Sequence, residues 1–144
     1  MSRPLPGVFD QALASAVRAP SPHHTQPWRF VVEKDVIEVW LDRERLLTVA
    51  DPNGRESRLA CGAAAFNLGI CLRANGLAVK VRILPDPGEP DLAAVIRLDG
   101  NQKTTAVERK LAEAVFRRHT NRRPLLDKEV PAVVRSALKS AALQ

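Results

Sequence analysis

Tyrosine is missing from these 144 residues, and only four Phe and two Trp supply aromatic volume. The interior must therefore be built from Ala, Val, Leu and Ile, which pack closely. Cysteine is scarce as well. Cys61 and Cys71 fall in one helical pattern, about 15 Å apart at a rise of about 1.5 Å per residue. They cannot bridge each other there, and they read as small buried apolar residues of a reduced, cytoplasmic protein. MSRPLPG carries no apolar h-region, so no secretory signal is expected. The longest apolar stretch, Leu59 to Leu72, is too short and interrupted for a membrane span, and no membrane partner is expected. There is no nucleophile elbow, Gly-rich P-loop, C-x-x-C pair or G-x-G-x-x-G. Ser, His and Asp occur without the order of a triad. No catalytic side chain is expected.

What is present suits one domain. Hydrophobic residues make up 45% and charged residues 26%, a globular balance in a chain long enough to enclose a core. The formal net charge of +6 is placed unevenly. Between positions 103 and 123, Lys103, Arg109, Lys110, Arg117, Arg118, Arg122 and Arg123 face only Glu108 and Glu113, while the remainder is nearly neutral. Such a segment suits a nucleic acid or a single phosphate site.

Periodicity divides the chain without repeats or linkers. Val8 to Val17 reads as an amphipathic helix with Phe9, Leu13, Ala16 and Val17 on one face. Trp28–Glu33 and Val36–Asp42 alternate as strands about a Lys34-Asp35 turn. Asp51-Pro52-Asn53-Gly54 marks a turn, and a helix follows from about Ser57 to Asn75, stopped by Gly76. Its apolar residues surround it, which predicts burial on every side. Gly62, Ala63, Ala64, Ala65 and Gly69 would admit a second backbone, so the helix serves either as plain core or also as a subunit interface. Strands are predicted near 79–84 and 92–98, and helices at Thr105–Arg118, with Val107, Leu111, Ala114 and Val115 inward, and Pro131–Leu143.

Two stretches carry candidate chemistry. In RAPSPHHTQPWRF, Pro20, Pro22 and Pro27 each fix φ and push the preceding residue out of the helical region. The loop should be stiff and extended, with His23 and His24 on opposite faces, which disfavours a shared metal ion. It is either a helix-to-strand junction or a ligand-binding loop. In RRHTNRR, Arg118, Thr120 and Arg122 alternate, so an extended backbone would point all three one way. Two guanidiniums and a hydroxyl suit a phosphate monoester; the alternative is a solvated basic loop.

APSPHHTQPWRF resembles the A-P-S-x-x-N-x-Q-P-W segment of the FMN-dependent nitroreductase superfamily, and more nearly that of its Acg-like branch. DPNGRESRLACGAAAFNLGICLRANGL is similar to that branch's central-helix segment, and RHTNRR resembles its R-x-[ST]-x-R phosphate arm. The resemblance implies an α+β fold, a nitroreductase-like α/β/α sandwich or half of one, with a central buried helix and a mostly antiparallel sheet. Residues 1–101 would form the first half-module, and 102–144 the basic helix, phosphate arm and start of a truncated second half. It implies FMN as cofactor, with Pro20, Ser21, His23, His24 and Gln26 beside it and Arg118, Thr120 and Arg122 on its phosphate. His24 stands where the family has asparagine. The implied function passes electrons from NAD(P)H through flavin to an electron-poor small molecule, such as a nitroaromatic or quinone, in a homodimer. In that homodimer the loop of one chain would meet the arm of the other. The alternatives are a non-catalytic flavin-sequestering or regulatory protein, and a small basic nucleic-acid-binding domain.

Overall fold

Four antiparallel strands and four helices make up the chain in a computed structural model that describes residues 7–142. Residues 1–6, on which the leader was judged, and 143–144 lie outside the described residues. The helices are α1 (Val8–Ala16), α2 (Arg55–Ala74), α3 (Ala106–Arg117) and α4 (Ala132–Ala142). The strands are β1 (Trp28–Glu33), β2 (Val36–Leu41), β3 (Leu77–Ile83) and β4 (Leu92–Asn101), ordered β1-β2-β4-β3 in one sheet. Glu33 pairs with Val36, so the Lys34-Asp35 hairpin has a two-residue turn. Its lack of Gly or Asn is met by a left-handed Lys34 at φ 47°.

Alternation in β2 decides which face of the sheet is covered. Ile37, Val39 and Leu41 are buried, while Val36, Glu38 and Trp40 are half-buried on the other side. The buried set meets Ala60, Cys61, Ala64, Ala65, Leu68, Cys71 and Leu72 of α2 in a single core cluster. Trp40 donates from Nε1 to Glu38 Oε2 at 2.7 Å, and the Arg29 guanidinium lies 5.9 Å from its ring centroid. The outer face of the sheet is thus polar and carries no helix among the described residues.

Asp51 fastens the start of α2. Its carboxylate accepts the Glu56 and Ser57 N–H groups at 3.1 and 2.9 Å and the Ser57 hydroxyl at 2.7 Å. Gly54, at φ 64°, makes the left-handed entry that lets Asp51 reach back. Burial pushes the Asp51 carboxyl up, but bonds from Ser57, Glu56 and Arg55 outweigh it and hold it below its ordinary value.

Two sequence expectations are corrected here. α2 is not enclosed on every side: Leu59 is 61% and Phe66 57% exposed, with Gly62 and Ala63 half-buried between them. One chain has elements to cover α2 from the sheet, α1 and α3, and this stripe is what remains. In α3 only Val115 is buried, whereas Val107 and Leu111 face solvent. That helix is held at its start by a capping box in which Thr105 and Glu108 exchange bonds. No residue of α4 is buried.

Candidate functional site

The helix-to-strand loop does not run extended. Ser21 does, at φ −144°, as the residue before Pro22 must. A short 3-10 turn then spans Pro22–His24, and His23, His24 and Gln26 take left-handed φ values of 46°, 59° and 50°. The turn closes on itself through His24 N–H to Ser21 O and Thr25 N–H to Pro22 O. The Ser21 Oγ also accepts the Gln26 N–H at 3.1 Å. Three non-glycine residues in a sparsely populated region are costly, and such strain clusters at functional sites. Cys61 on α2 supports the loop from beneath, donating its thiol to the Pro27 carbonyl at 3.2 Å. Burial pushes that thiol up to about 12.

The loop, α2 and the basic arm enclose a cleft of about 490 Å³. Pro20, Ser21, Pro22 and His23 form one wall, Glu56, Leu59, Ala60 and Ala63 the floor, and Thr120 and Arg122 the opposite wall. Five of the residues singled out in the sequence, Pro20, Ser21, His23, Thr120 and Arg122, therefore meet, and within one chain. No second copy is needed to bring loop and arm together. Three do not line the cleft. His24 Nε2 lies 3.2 Å from Gln26 Nε2, and the Gln26 carbonyl accepts from Trp28 N–H and Arg45 Nη1. Arg118 stands behind Thr120, with Nη2 donating to the Arg18 carbonyl at 3.1 Å and Nη1 to Thr120 Oγ1 at 3.5 Å. The expected convergence of Arg118, Thr120 and Arg122 is partial: Arg118 reaches Thr120, but its guanidinium is drawn to the Arg18 carbonyl, and only Thr120 and Arg122 line the cleft.

The donors fit an anion at the arm. Arg122 makes no hydrogen bond or ion pair among the described residues, and the Ser21 hydroxyl, already an acceptor, retains its proton. The first free N–H groups of α2 are not available, because Asp51 occupies them. Anion recognition in this cleft thus falls to side chains, with Glu56 on the floor the one carboxylate that lines it. The floor residues were missed in the sequence, although Glu56 ends the DPNGRE segment already singled out. Among the described residues no group of three or more His, Cys, Asp or Glu could hold a metal ion, and no helix is long and apolar enough to cross a membrane.

No family model matches the chain. "Putative NAD(P)H nitroreductase acg" of Mycobacterium tuberculosis is 33% identical over 133 residues, which is 92% of this chain and 40% of that protein. A second "Putative NAD(P)H nitroreductase" of the same organism is 39% identical over 111 residues, 77% of this chain and 32% of that protein. The chain therefore spans about two fifths or less of the length of these curated relatives. A crystal structure titled as a putative nitroreductase in complex with FMN, from Desulfovibrio desulfuricans, superposes with a TM-score of 0.59 at 20% identity, covering 90% of this chain and 88% of that one. Over most of its length the chain is similar in sequence to these Acg-like putative nitroreductases, and its sheet and central helix have the fold of the FMN-complexed neighbour.

Proposed function

We propose that the cleft holds FMN and that the chain is an oxidoreductase module passing electrons from NAD(P)H to an electron-poor small molecule. The observation that carries this reading is the meeting of Ser21 and His23 with Thr120 and Arg122 across one cleft. A space of about 490 Å³ lies within the range of cofactor pockets, about 300–1,000 Å³. The Arg122 guanidinium and the hydroxyls of Thr120 and Ser21 would hold the phosphate. Pro20, Pro22, Leu59, Ala60 and Ala63 offer the apolar wall a planar ring needs. When bound, the flavin supplies the redox chemistry, while these residues bind it, orient it and limit water. The FMN-complexed neighbour is matched over 88% of its chain, which favours a cofactor site in a chain of this length.

The working unit in this proposal is a homodimer, although loop and arm already meet in one chain. Leu59 and Phe66 leave an apolar stripe on α2, and a Cβ on Gly62 between them would meet nothing within 4 Å. Beside it, Arg55, Arg58, Leu59, Gly62, Ile83, Leu84 and Ala93 line a hollow of about 550 Å³. A second copy of the chain would cover this surface, as the remaining half-module would in a longer relative.

Purified protein titrated with FMN, followed by anaerobic addition of NADH or NADPH, tests the reading. Saturable FMN binding and bleaching of the flavin band support it. Binding without bleaching would leave the chain as a flavin-sequestering protein, and no binding would remove the cofactor from the cleft.

A further inference from the structure

α1 and α3 end near each other, and the arginine that follows each helix donates to a main-chain carbonyl of the other segment. Arg18 follows the C-terminal turn of α1, and its Nη2 donates to the Phe116 carbonyl in the last turn of α3 at 3.4 Å. Arg118 caps α3, and its Nη2 donates to the Arg18 carbonyl at 3.1 Å. Arg18 thus answers an orphan carbonyl in the last turn of α3, while Arg118 answers a main-chain carbonyl just past the Val17 cap of α1. Two helix C-termini laid together bring like partial charges together, and each arginine is a cation placed where that charge collects. No backbone N–H bonds either carbonyl among the described residues.

The place of this exchange matters more than its strength. Immediately after Arg18 the chain becomes Ala19-Pro20-Ser21, one wall of the cleft. Immediately after Arg118 it becomes His119-Thr120-Asn121-Arg122, the other wall. Beyond it, no hydrogen bond or ion pair joins residues 119–142 to residues 7–116 among the described residues.

We infer that Arg18 and Arg118 form a reciprocal clasp that sets the distance between the two walls, and that Arg118 is a positioning residue rather than a ligand of the bound anion. The inference rests on the flavin reading for its ligand, but the clasp itself is a property of the free chain. Arg118 acts through Thr120 and Arg122 by fixing where the arm leaves α3. Arg18, which lines no part of the cleft, is as important as Arg118.

The test pairs a measurement without ligand and one with it, on the full chain. Backbone ¹⁵N relaxation of the Thr120 and Arg122 amides is compared in the parent, Arg18→Ala, Arg118→Ala and the double variant. Both single variants lower arm order and the double variant lowers it further, because each removes one of two bonds that end on main-chain carbonyls the alanine variants keep. FMN affinity follows the same pattern, falling about tenfold in each, the worth of one charge-assisted hydrogen bond. Arg18→Lys, which keeps a donor and a charge, retains most of the order and affinity, and serves if an alanine variant fails to fold. Arm order and FMN affinity unchanged in Arg18→Ala overturn the clasp, and a fall in FMN affinity in Arg118→Ala with arm order unchanged returns Arg118 to the anion. If the parent takes up no FMN, the flavin reading falls, while the relaxation comparison still decides the clasp.

Discussion

Ser15 and Asn67 join the packed faces of α1 and α2: the Asn67 side-chain amide donates to the Ser15 carbonyl at 3.1 Å, and the Ser15 hydroxyl shares its one proton between the Ala12 carbonyl at 2.6 Å and the Asn67 main-chain carbonyl at 3.0 Å. Both residues are buried. The pair fixes how α1 lies on α2, and hence where the loop after α1 begins. Asn67→Ala should destabilise the chain by roughly 1.5–3 kcal/mol, from a lost bond and the space left behind. Urea unfolding measures it; a change within error would mean that the contact is set by packing alone.

Asp51 gives a pH dependence whose sign is fixed. Its carboxyl is held below the ordinary value in the folded chain, so its contribution is present above the unfolded carboxyl's pKa, about 3.9. It is lost as pH falls through the lower folded value. Asp51→Asn should therefore lower the melting temperature at neutral pH and flatten its fall at acid pH. An acid limb as steep in the variant as in the parent would place the responsible carboxyl elsewhere.

Arg122→Ala should weaken FMN about tenfold to a hundredfold while leaving riboflavin, which has no phosphate, nearly unchanged. The loss should shrink as salt rises, since screening already weakens the parent's contact. Equal losses for both ligands would assign Arg122 to the ring rather than the phosphate.

These residues also mark the limits of the sequence. β1, β2 and the hairpin between them were readable because alternation reports burial directly. α2 was readable in extent from the Asp51–Gly54 turn and Gly76. Its bare stripe was not, because an apolar side chain does not say whether its own chain can reach it. The left-handed run His23, His24 and Gln26 was hidden as well. Proline constrains its neighbour only by disfavouring the helical region, and the bond from Gln26 N–H to Ser21 Oγ that bends the loop spans positions no local rule connects. Arg118 has the extended backbone that alternation asks for, at φ −63° and ψ 134°, but its guanidinium turns to the Arg18 carbonyl, a contact no local pattern announces.

Phe66 is 57% exposed on α2, so Phe66→Glu should leave the fold intact and remove the apolar contact offered to a second copy. Sedimentation should give a dimer for the parent and a monomer for the variant. A parent that sediments as a monomer at micromolar concentration would refute the homodimer.

Cys61, pushed up to about 12 by burial beneath Pro27, should resist iodoacetamide in the native chain at pH 8 and react readily after denaturation, since the thiolate is the reactive form. Fast native labelling would show that the loop opens from α2.

The strand order β1-β2-β4-β3 places β4 between strands that precede it, with all of α2 and β3 separating Val36 from its partner Arg97 in the chain. As the polypeptide emerges from its N-terminus, β1 and β2 form early by local pairing, but the second edge of β2 then waits uncovered. Closing so long a loop is paid for in chain entropy before any contact rewards it. The joining of the two hairpins over α2 should therefore limit the rate of folding. Val39 and Ala94, partners across that seam, are the positions whose variants should slow refolding most in stopped-flow measurements.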